Sequence, residues 1–192
     1  MHDAIKAMFT DKIWEVVPKP QMDSYFRTLS RTVPSVKRKQ IMTIWSFKRK
    51  RHPDGSLSKY KARLCCHGGQ QQWGVNYWET YAPVISWMSV RTMLTLSKIH
   101  NLHTKSIDFI LAYPQADVKI PIYLFTPQGV IIGNGSRDVV LRLRKDLYGL
   151  KDAGRTWWEH LSTELPDLDL KQSQLRSMLV DQRHHHHHRL RG

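Results

Sequence analysis

The residues with the clearest chemical character form a basic stretch between positions 37 and 63. This stretch holds ten Lys and Arg residues and one acid, Asp54, and the whole 192-residue chain has a formal net charge of +14. Clustered cations attract polyanions, and phosphate groups are anions that both Lys and Arg bind well. The alternative is a solvated charged face without a ligand. Nucleic acid or a nucleotide is therefore the first partner to consider.

Apolar and basic residues alternate on either side of a turn within this stretch. Residues 41–51 read IMTIWSFKRKR and residues 57–66 read LSKYKARLCC, and a period near two favours β-strands. The string PDGS at 53–56 strongly favours a turn, because Pro presets its backbone angle and Gly accepts positive φ. We predict a β-hairpin in which Trp45 and Phe47 pack inward, while Lys and Arg side chains project from the other face.

The rest of the chain predicts helices and strands in an α+β order. We expect strands at 13–17, 103–108, 121–125 and 138–144, helices at 87–101 with Ser86 as N-cap and at 154–165, weak helix at 1–12, and a loop at 21–40. The predicted strand at 103–108 ends in an acid, Asp108. The helix at 87–101 is expected to pack its apolar face on a sheet.

Several classes of protein are disfavoured by composition. No apolar run approaches the ~20 residues that cross a bilayer, and residues 1–10 lack a hydrophobic signal segment. The only cysteines, Cys65 and Cys66, are adjacent, which excludes a disulfide framework and indicates a reducing compartment. A structural metal site at these cysteines and His67 is an alternative, but vicinal cysteines suit tetrahedral zinc poorly. A hydrolase with a Cys nucleophile has no recognisable triad.

Four segments occur in an order and at spacings found together in one family. They are WSFKRKRHPDGSLSKYKARLCCHGGQQQWGVNYWETYAPV at 45–84, SIDFILAYPQAD at 106–117, IYLFTPQGV at 122–130 and LRLRKDLYGLKDAGRTWWEHL at 141–161. Together they resemble the reverse transcriptases of copia-type retrotransposons. The resemblance implies the fingers and part of the palm of a right-hand polymerase at 13–165, after an N-terminal segment at 1–12. Residues 166–192 are expected to form a divergent, disordered tail with a His run.

The resemblance implies RNA-directed DNA polymerisation, in which two Mg²⁺ ions assist transfer of a dNTP to the primer 3′-hydroxyl. Asp108 and the backbone carbonyl of Phe109 match the metal ligands of the first acidic motif. A helix-capping role is the alternative for Asp108. Tyr113 matches the aromatic residue that excludes a ribose 2′-hydroxyl, although such a ring is also common in a core. These three residues are therefore the expected catalytic and nucleotide-selecting positions.

The resemblance also assigns basic and glycine residues to nucleotide and nucleic acid. Lys61 and Arg63 match residues that bind the incoming triphosphate, and the expected contacts to template or primer are Lys48, Lys50, Gly149, Lys151 and Arg155. Many relatives carry Gln and Pro where this chain has Asp152 and Gly154. An acid beside a nucleotide pocket is electrostatically unfavourable, so this departure weakens the match at that point.

The palm of such enzymes also needs a pair of adjacent aspartates, and the chain has no Asp-Asp pair. We therefore expect a truncated or frameshifted product that is inactive alone. Its implied partners are template RNA or DNA, primer and dNTP, without a membrane, inside the cell in a cytoplasmic particle or the nucleus. The sequence does not determine the oligomeric state.

The alternative function is a non-catalytic, basic RNA- or DNA-binding remnant. The His run is interpreted as an expression scar, a low-complexity sequence or a metal-binding tract.

Overall fold

The computed structural model describes residues 11–33, 36–37, 39–132 and 138–168. The predicted N-terminal segment and tail therefore lie almost entirely outside the described residues. The chain divides into two compact units, one made of residues 1–81 and 111–157 and the other of residues 82–110 and 158–192. Among the helices in the described ranges, none has the length and apolar character needed to cross a membrane.

Helices and strands are mixed along the described chain, as the sequence predicts. In chain order the elements are β1 (Trp14–Pro18), α1 (Lys19–Leu29), β2 (Thr43–Arg51), β3 (Leu57–Cys66), α2 (Trp87–Ile99), α3 (Ala112–Gln115), β4 (Tyr123–Leu124), β5 (Val139–Leu143) and α4 (Ala153–Glu164). Short 3-10 helices span Gly68–Gln70 and Leu165–Leu168. The predicted strands at 13–17, 121–125 and 138–144 and the predicted helix at 154–165 are thus confirmed, with shorter bounds for some.

The core of the first unit surrounds a three-stranded antiparallel sheet in the order β1-β5-β4. Leu141 in the central strand β5 lies opposite Val16 of β1 and Leu124 of β4. A cluster of buried side chains joins this sheet to the base of the β2–β3 ribbon and to the segment after β5; its members include Ile13, Ile41, Leu64, Cys66, Ile122, Leu124, Leu141, Leu147 and Leu150. Apolar burial therefore ties three separate parts of the sequence together.

The predicted hairpin is confirmed as the antiparallel pair β2 and β3. Its turn is closed by Asp54, whose Oδ1 accepts hydrogen bonds from the Ser56 N–H at 2.8 Å and the Ser56 hydroxyl at 2.6 Å. Only part of the predicted packing is correct. Trp45 packs against the core, but Phe47 is 64% exposed. Phe47 does not pack inward because the core ends at Trp45: every residue of β2 from Ser46 to the turn lies beyond the core and is exposed.

The loop predicted at 21–40 is wrong over its first part, where α1 forms. Its apolar residues Met22, Phe26 and Leu29 recur at helical spacing, and the first two are buried. Pro20 stands in the first turn, where its missing N–H removes no intrahelical hydrogen bond. The helical period was therefore present in the sequence, but it follows Pro18 and Pro20, and prolines this close together are typical of loops.

The second unit contains α2, which begins where the sequence predicts. The Ser86 hydroxyl accepts a hydrogen bond from the Ser89 N–H at 3.1 Å and caps the helix. None of the residues of α2 is buried, so the predicted packing of its apolar face is not supported. The predicted strand at 103–108 is wrong, since these residues are in neither helix nor strand. A strand needs a partner for its backbone hydrogen bonds, and no described strand pairs with this segment.

Candidate functional site

Five basic side chains share one face of the β2–β3 hairpin, which we call the basic face. Lys48 lies opposite Lys61, Lys50 lies opposite Lys59, and Arg63 follows two positions after Lys61 on the same face. Like charges in directly opposed positions destabilise a sheet. The hairpin thus carries an electrostatic repulsion that a bound polyanion would relieve.

One cation and two aromatic rings meet at the base of the basic face. The guanidinium carbon of Arg63 lies 5.4 Å from the ring centroid of Tyr148, within cation–π distance. The ring of Tyr113, from α3, meets Tyr148 edge to face with 4.8 Å between centroids. The structure therefore brings together two of the residues predicted to bind nucleotide. Tyr148, which lies between them, was not assigned from the sequence, although it directly precedes Gly149 in the YGLK string.

The backbone of β3 touches the loop after β5 at this point. The Cys66 N–H donates a hydrogen bond of 2.7 Å to the Tyr148 carbonyl. Gly149 has a φ of +91°, and a Cβ there would overlap the Cys66 carbonyl oxygen. A Cβ on Gly68 would in turn overlap the Gly149 carbonyl oxygen. Glycine at 149 is thus required by this backbone contact, which we call the joint, and its predicted approach to base or primer stays a prediction.

Lys151 is held by contacts within the first unit. Its Nζ donates to the Tyr77 hydroxyl at 3.2 Å and to the Gln71 carbonyl at 3.4 Å, and it lies 4.6 Å from the Tyr77 ring centroid. Its backbone N–H donates to Gln71 Oε1 at 2.7 Å. A phosphate bound by the Lys151 ammonium would therefore have to replace its contacts with Tyr77 and Gln71. The role of Lys151 as a contact to template or primer stays a prediction.

The two remaining polar groups of this segment also have protein partners. Arg155, predicted to contact template, forms an ion pair with Glu79. Asp152 accepts a hydrogen bond from Gln71 Nε2 at 3.1 Å. Burial raises the pKa of Asp152, and the hydrogen bond from Gln71 opposes that shift. The acid that departs from the family pattern is thus hydrogen-bonded to Gln71 within the protein.

A buried acid that the sequence analysis missed lies two residues before Tyr148. Asp146 is 1% exposed, and its Oδ2 has no hydrogen-bond partner among the described residues. Burial, followed by the charge of Asp152, raises the pKa of Asp146 to about 7. Its backbone N–H donates to the Ala116 carbonyl at 2.9 Å. Nothing in the local sequence distinguishes this Asp from a surface acid, because its burial arises from tertiary packing.

Asp108 and Phe109 belong to the second unit, whereas the Arg63–Tyr148–Tyr113 cluster belongs to the first. Asp108 is exposed and lies outside any helix or strand. No group of three or more His, Cys, Asp or Glu side chains is placed to hold a metal ion in the part of the chain that the structure describes. One carboxylate and one carbonyl supply too few ligands for two hard cations, so the described residues do not fit a two-metal centre.

The adjacent cysteines do not form a metal site with His67. Successive residues of a strand point to opposite faces, so Cys65 and Cys66 on β3 cannot direct both thiols at one ion. Cys66 is buried, and burial raises the pKa of its thiol. A high pKa disfavours the thiolate that zinc requires. The structural-metal alternative is therefore unsupported.

Comparison with known proteins places these motifs in one family. The family model described as reverse transcriptase (RNA-dependent DNA polymerase) matches residues 29–187. A retrovirus-related Pol polyprotein from transposon RE2 of Arabidopsis thaliana is 34% identical over 165 residues, 86% of this chain and 10% of that protein. The Pol polyprotein from transposon TNT 1-94 of Nicotiana tabacum is 37% identical over 114 residues, 59% of this chain and 8% of that protein.

A yeast transposon also carries a similar sequence. The transposon Ty1-BL Gag-Pol polyprotein of Saccharomyces cerevisiae is 31% identical over 125 residues, 65% of this chain and 7% of that protein. The chain thus spans a tenth or less of the length of these relatives. No solved structure matches the chain.

Replacement of Gly149 tests the joint, with Gly55 as the matched control. Both glycines have positive φ, but a Cβ at Gly55 would meet open space. We expect Gly55→Ala to lower the free energy of unfolding by about 1 kcal/mol through backbone strain. Gly149→Ala should lower it by roughly 1 to 3 kcal/mol more, because overpacking is added to strain. Urea unfolding measures both, and equal losses would contradict a close backbone contact.

The buried carboxyl of Asp146 predicts a particular pH dependence. Its folded-state pKa of about 7 lies above the ordinary carboxyl pKa of 3.8, so between these values the folded chain holds a proton that the unfolded chain releases. Its contribution to stability therefore falls as pH rises from about 4 to about 7, by at most about 1.4 kcal/mol per pH unit. Asp146→Asn should remove this fall. Urea unfolding across this range measures it, and parallel pH profiles for the variant and the original chain would refute the assignment.

Proposed function

The chain belongs to the reverse transcriptase (RNA-dependent DNA polymerase) family, and on that basis we propose that it forms the nucleotide- and template-binding fingers, with part of the palm, of a copia-type Pol polyprotein. The family match covers most of the chain, and the similar proteins from plants and yeast are Pol or Gag-Pol polyproteins. The alternative of a non-catalytic, basic RNA- or DNA-binding remnant is not favoured by this match. We further propose an intracellular location, as the family implies.

The observation that carries the proposal is the cluster of Arg63, Tyr148 and Tyr113 at the base of the basic face. A guanidinium next to aromatic rings suits a ligand with both phosphate and a flat or sugar group. We assign the triphosphate of a dNTP to Lys61 and Arg63. Tyr113 would lie beneath the ribose and leave no space for a 2′-hydroxyl. Tyr148 holds both neighbours in position through its ring.

Template and primer would occupy the outer part of the same surface. Lys48 and Lys50 are exposed on the basic face, where their repulsion with the opposite strand favours phosphate binding. We retain Gly149, Lys151 and Arg155 as template or primer contacts because they belong to the loop and helix that follow Tyr148. Binding to template or primer would replace the contact of Lys151 with Tyr77 and the ion pair of Arg155 with Glu79.

RNA-directed DNA polymerisation is the proposed activity of the longer polyprotein. Mg²⁺ is the proposed ion, and Asp108 with the Phe109 carbonyl are the ligands that this chain would contribute. These two groups do not complete a two-metal centre, and the chain has no Asp-Asp pair. We assign no catalytic step to the chain alone and expect it to bind nucleotide without transferring it.

Nucleotide titration tests the assigned pocket. Because charge-assisted contacts to phosphate contribute about 1.5 to 3 kcal/mol, Arg63→Ala should weaken dTTP binding about tenfold to a hundredfold. Lys19→Ala removes an exposed charge from α1, outside the hairpin, and should leave the affinity unchanged. Tyr113→Ala should reduce the preference for dUTP over UTP, two nucleotides that differ only in the 2′-hydroxyl. Isothermal titration calorimetry measures these affinities, and equal effects of Arg63→Ala and Lys19→Ala would reject a specific triphosphate site.

Primer extension tests the expected lack of catalysis. On an RNA template with a DNA primer, dNTPs and Mg²⁺, the full chain should give only background incorporation, because the ligands for two metal ions are incomplete. The same background is expected for Asp108→Ala. Clear incorporation that disappears in Asp108→Ala would show instead that the chain completes a catalytic centre.

A further inference from the structure

The face of the hairpin opposite the basic face carries aromatic rings into solvent; we call it the aromatic face. Trp45 and Phe47 lie two residues apart on β2, and Tyr60 projects from β3 on the same side. Phe47 is 64% exposed and Tyr60 is 74% exposed. Large apolar side chains that are exposed together on one surface commonly mark a binding site.

The inner end of the aromatic face is anchored. Trp45 Nε1 donates a hydrogen bond of 2.9 Å to the Gln128 carbonyl, and the Trp45 ring packs against the core. The Phe47 ring lies next to it, nearly parallel, with an interplanar angle of 18° and 6.1 Å between centroids. The anchored Trp45 ring therefore flanks Phe47, whose exposed ring presents a flat apolar surface to solvent.

The charge around the rings indicates what binds to them. Arg49 lies directly opposite Tyr60 on the aromatic face. The only acid of the hairpin, Asp54, is engaged with Ser56 at the turn. An apolar protein surface placed here would bury the Arg49 guanidinium against apolar groups, which is unfavourable. A ligand with flat apolar groups and a negative backbone satisfies the rings and the cation together.

Single-stranded nucleic acid has that chemistry. Its unpaired bases stack on exposed aromatic side chains while its phosphates contact nearby cations, and such stacking tolerates any sequence. A duplex has the same phosphates but hides the faces of its bases. The aromatic face is therefore suited to an unpaired strand and unsuited to a duplex.

We propose that Phe47 and Tyr60 stack on unpaired bases of a single-stranded nucleic acid, and that Arg49 contacts its phosphate backbone. This inference deepens the proposed function, because it adds a base-binding surface on the side of the hairpin that faces away from Lys48, Lys50, Lys61 and Arg63.

Fluorescence anisotropy with the full chain tests the stacking directly. The probes are a labelled oligothymidylate and a labelled abasic strand of equal length, which share phosphates but differ in bases. The original chain should prefer the strand with bases by about tenfold or more, given 1 to 3 kcal/mol per stacked base. Phe47→Ala with Tyr60→Ala should abolish this preference and leave the affinity for the abasic strand unchanged. Phe47→Tyr with Tyr60→Phe should retain it.

A matched variant on the other face separates this inference from the proposed function. Lys48→Ala with Lys50→Ala should weaken both strands equally and reduce the salt dependence. If that variant behaves so while Phe47→Ala with Tyr60→Ala keeps the preference for bases, the stacking inference is wrong and the phosphate role stands. If only the aromatic variant has its expected effect, the phosphate role is wrong and the stacking stands. Failure of the original chain to bind either strand rejects both.

Thermal unfolding by circular dichroism confirms that each variant is folded, which is expected because all four altered side chains are exposed. Sedimentation tests another occupant of the aromatic face, a second copy of this chain. Self-association that is lost in Phe47→Ala with Tyr60→Ala, without any change in binding of either strand, would overturn the inference.

Discussion

The position of the hairpin depends on the joint, where the end of β3 meets the loop after β5. There the Cys66 N–H donates to the Tyr148 carbonyl, and glycines at 68 and 149 leave room for two backbones to touch. An isolated two-stranded hairpin is marginally stable in water. Since Leu64 and Leu147 beside the joint are both fully buried, the hairpin gains its stability from a core that it shares with the three-stranded sheet.

The same joint determines the geometry of the candidate site. Tyr148 contributes its carbonyl to the joint and its ring to the contact with Arg63, so the packing of the backbone fixes the aromatic surface next to the cation. Asp146 is buried two residues before it, where its charged form is unfavourable. The YGLK segment is therefore a structural element and a site element at once, and a substitution there affects folding before it affects binding.

Local signals explain what the sequence predicted correctly. The hairpin follows from period-two alternation around a Pro-Asp-Gly turn, and α2 follows from a helical period behind a Ser cap. What failed needed information from distant parts of the chain. The strand at 103–108 lacks a described partner, and the inward packing of Phe47 depends on how far the core extends along β2. Tyr148 and Asp146 acquire their environments from contacts that no local pattern encodes.

The outer half of the hairpin has a composition that the fold does not explain. Between Trp45 on β2 and Leu64 on β3, no residue of the hairpin lies in the core. Polar or oppositely charged pairs would therefore stabilise this part of the hairpin more than the residues present. Instead, one face opposes Lys50 with Lys59, and the other exposes Phe47 and Tyr60. Repulsion on one face reduces the stability of the free protein, and the exposed apolar area on the other contributes little to it. The proposed ligands, a polyanion on the first face and unpaired bases on the second, would relieve the repulsion and cover the exposed rings, so the proposed binding accounts for this composition.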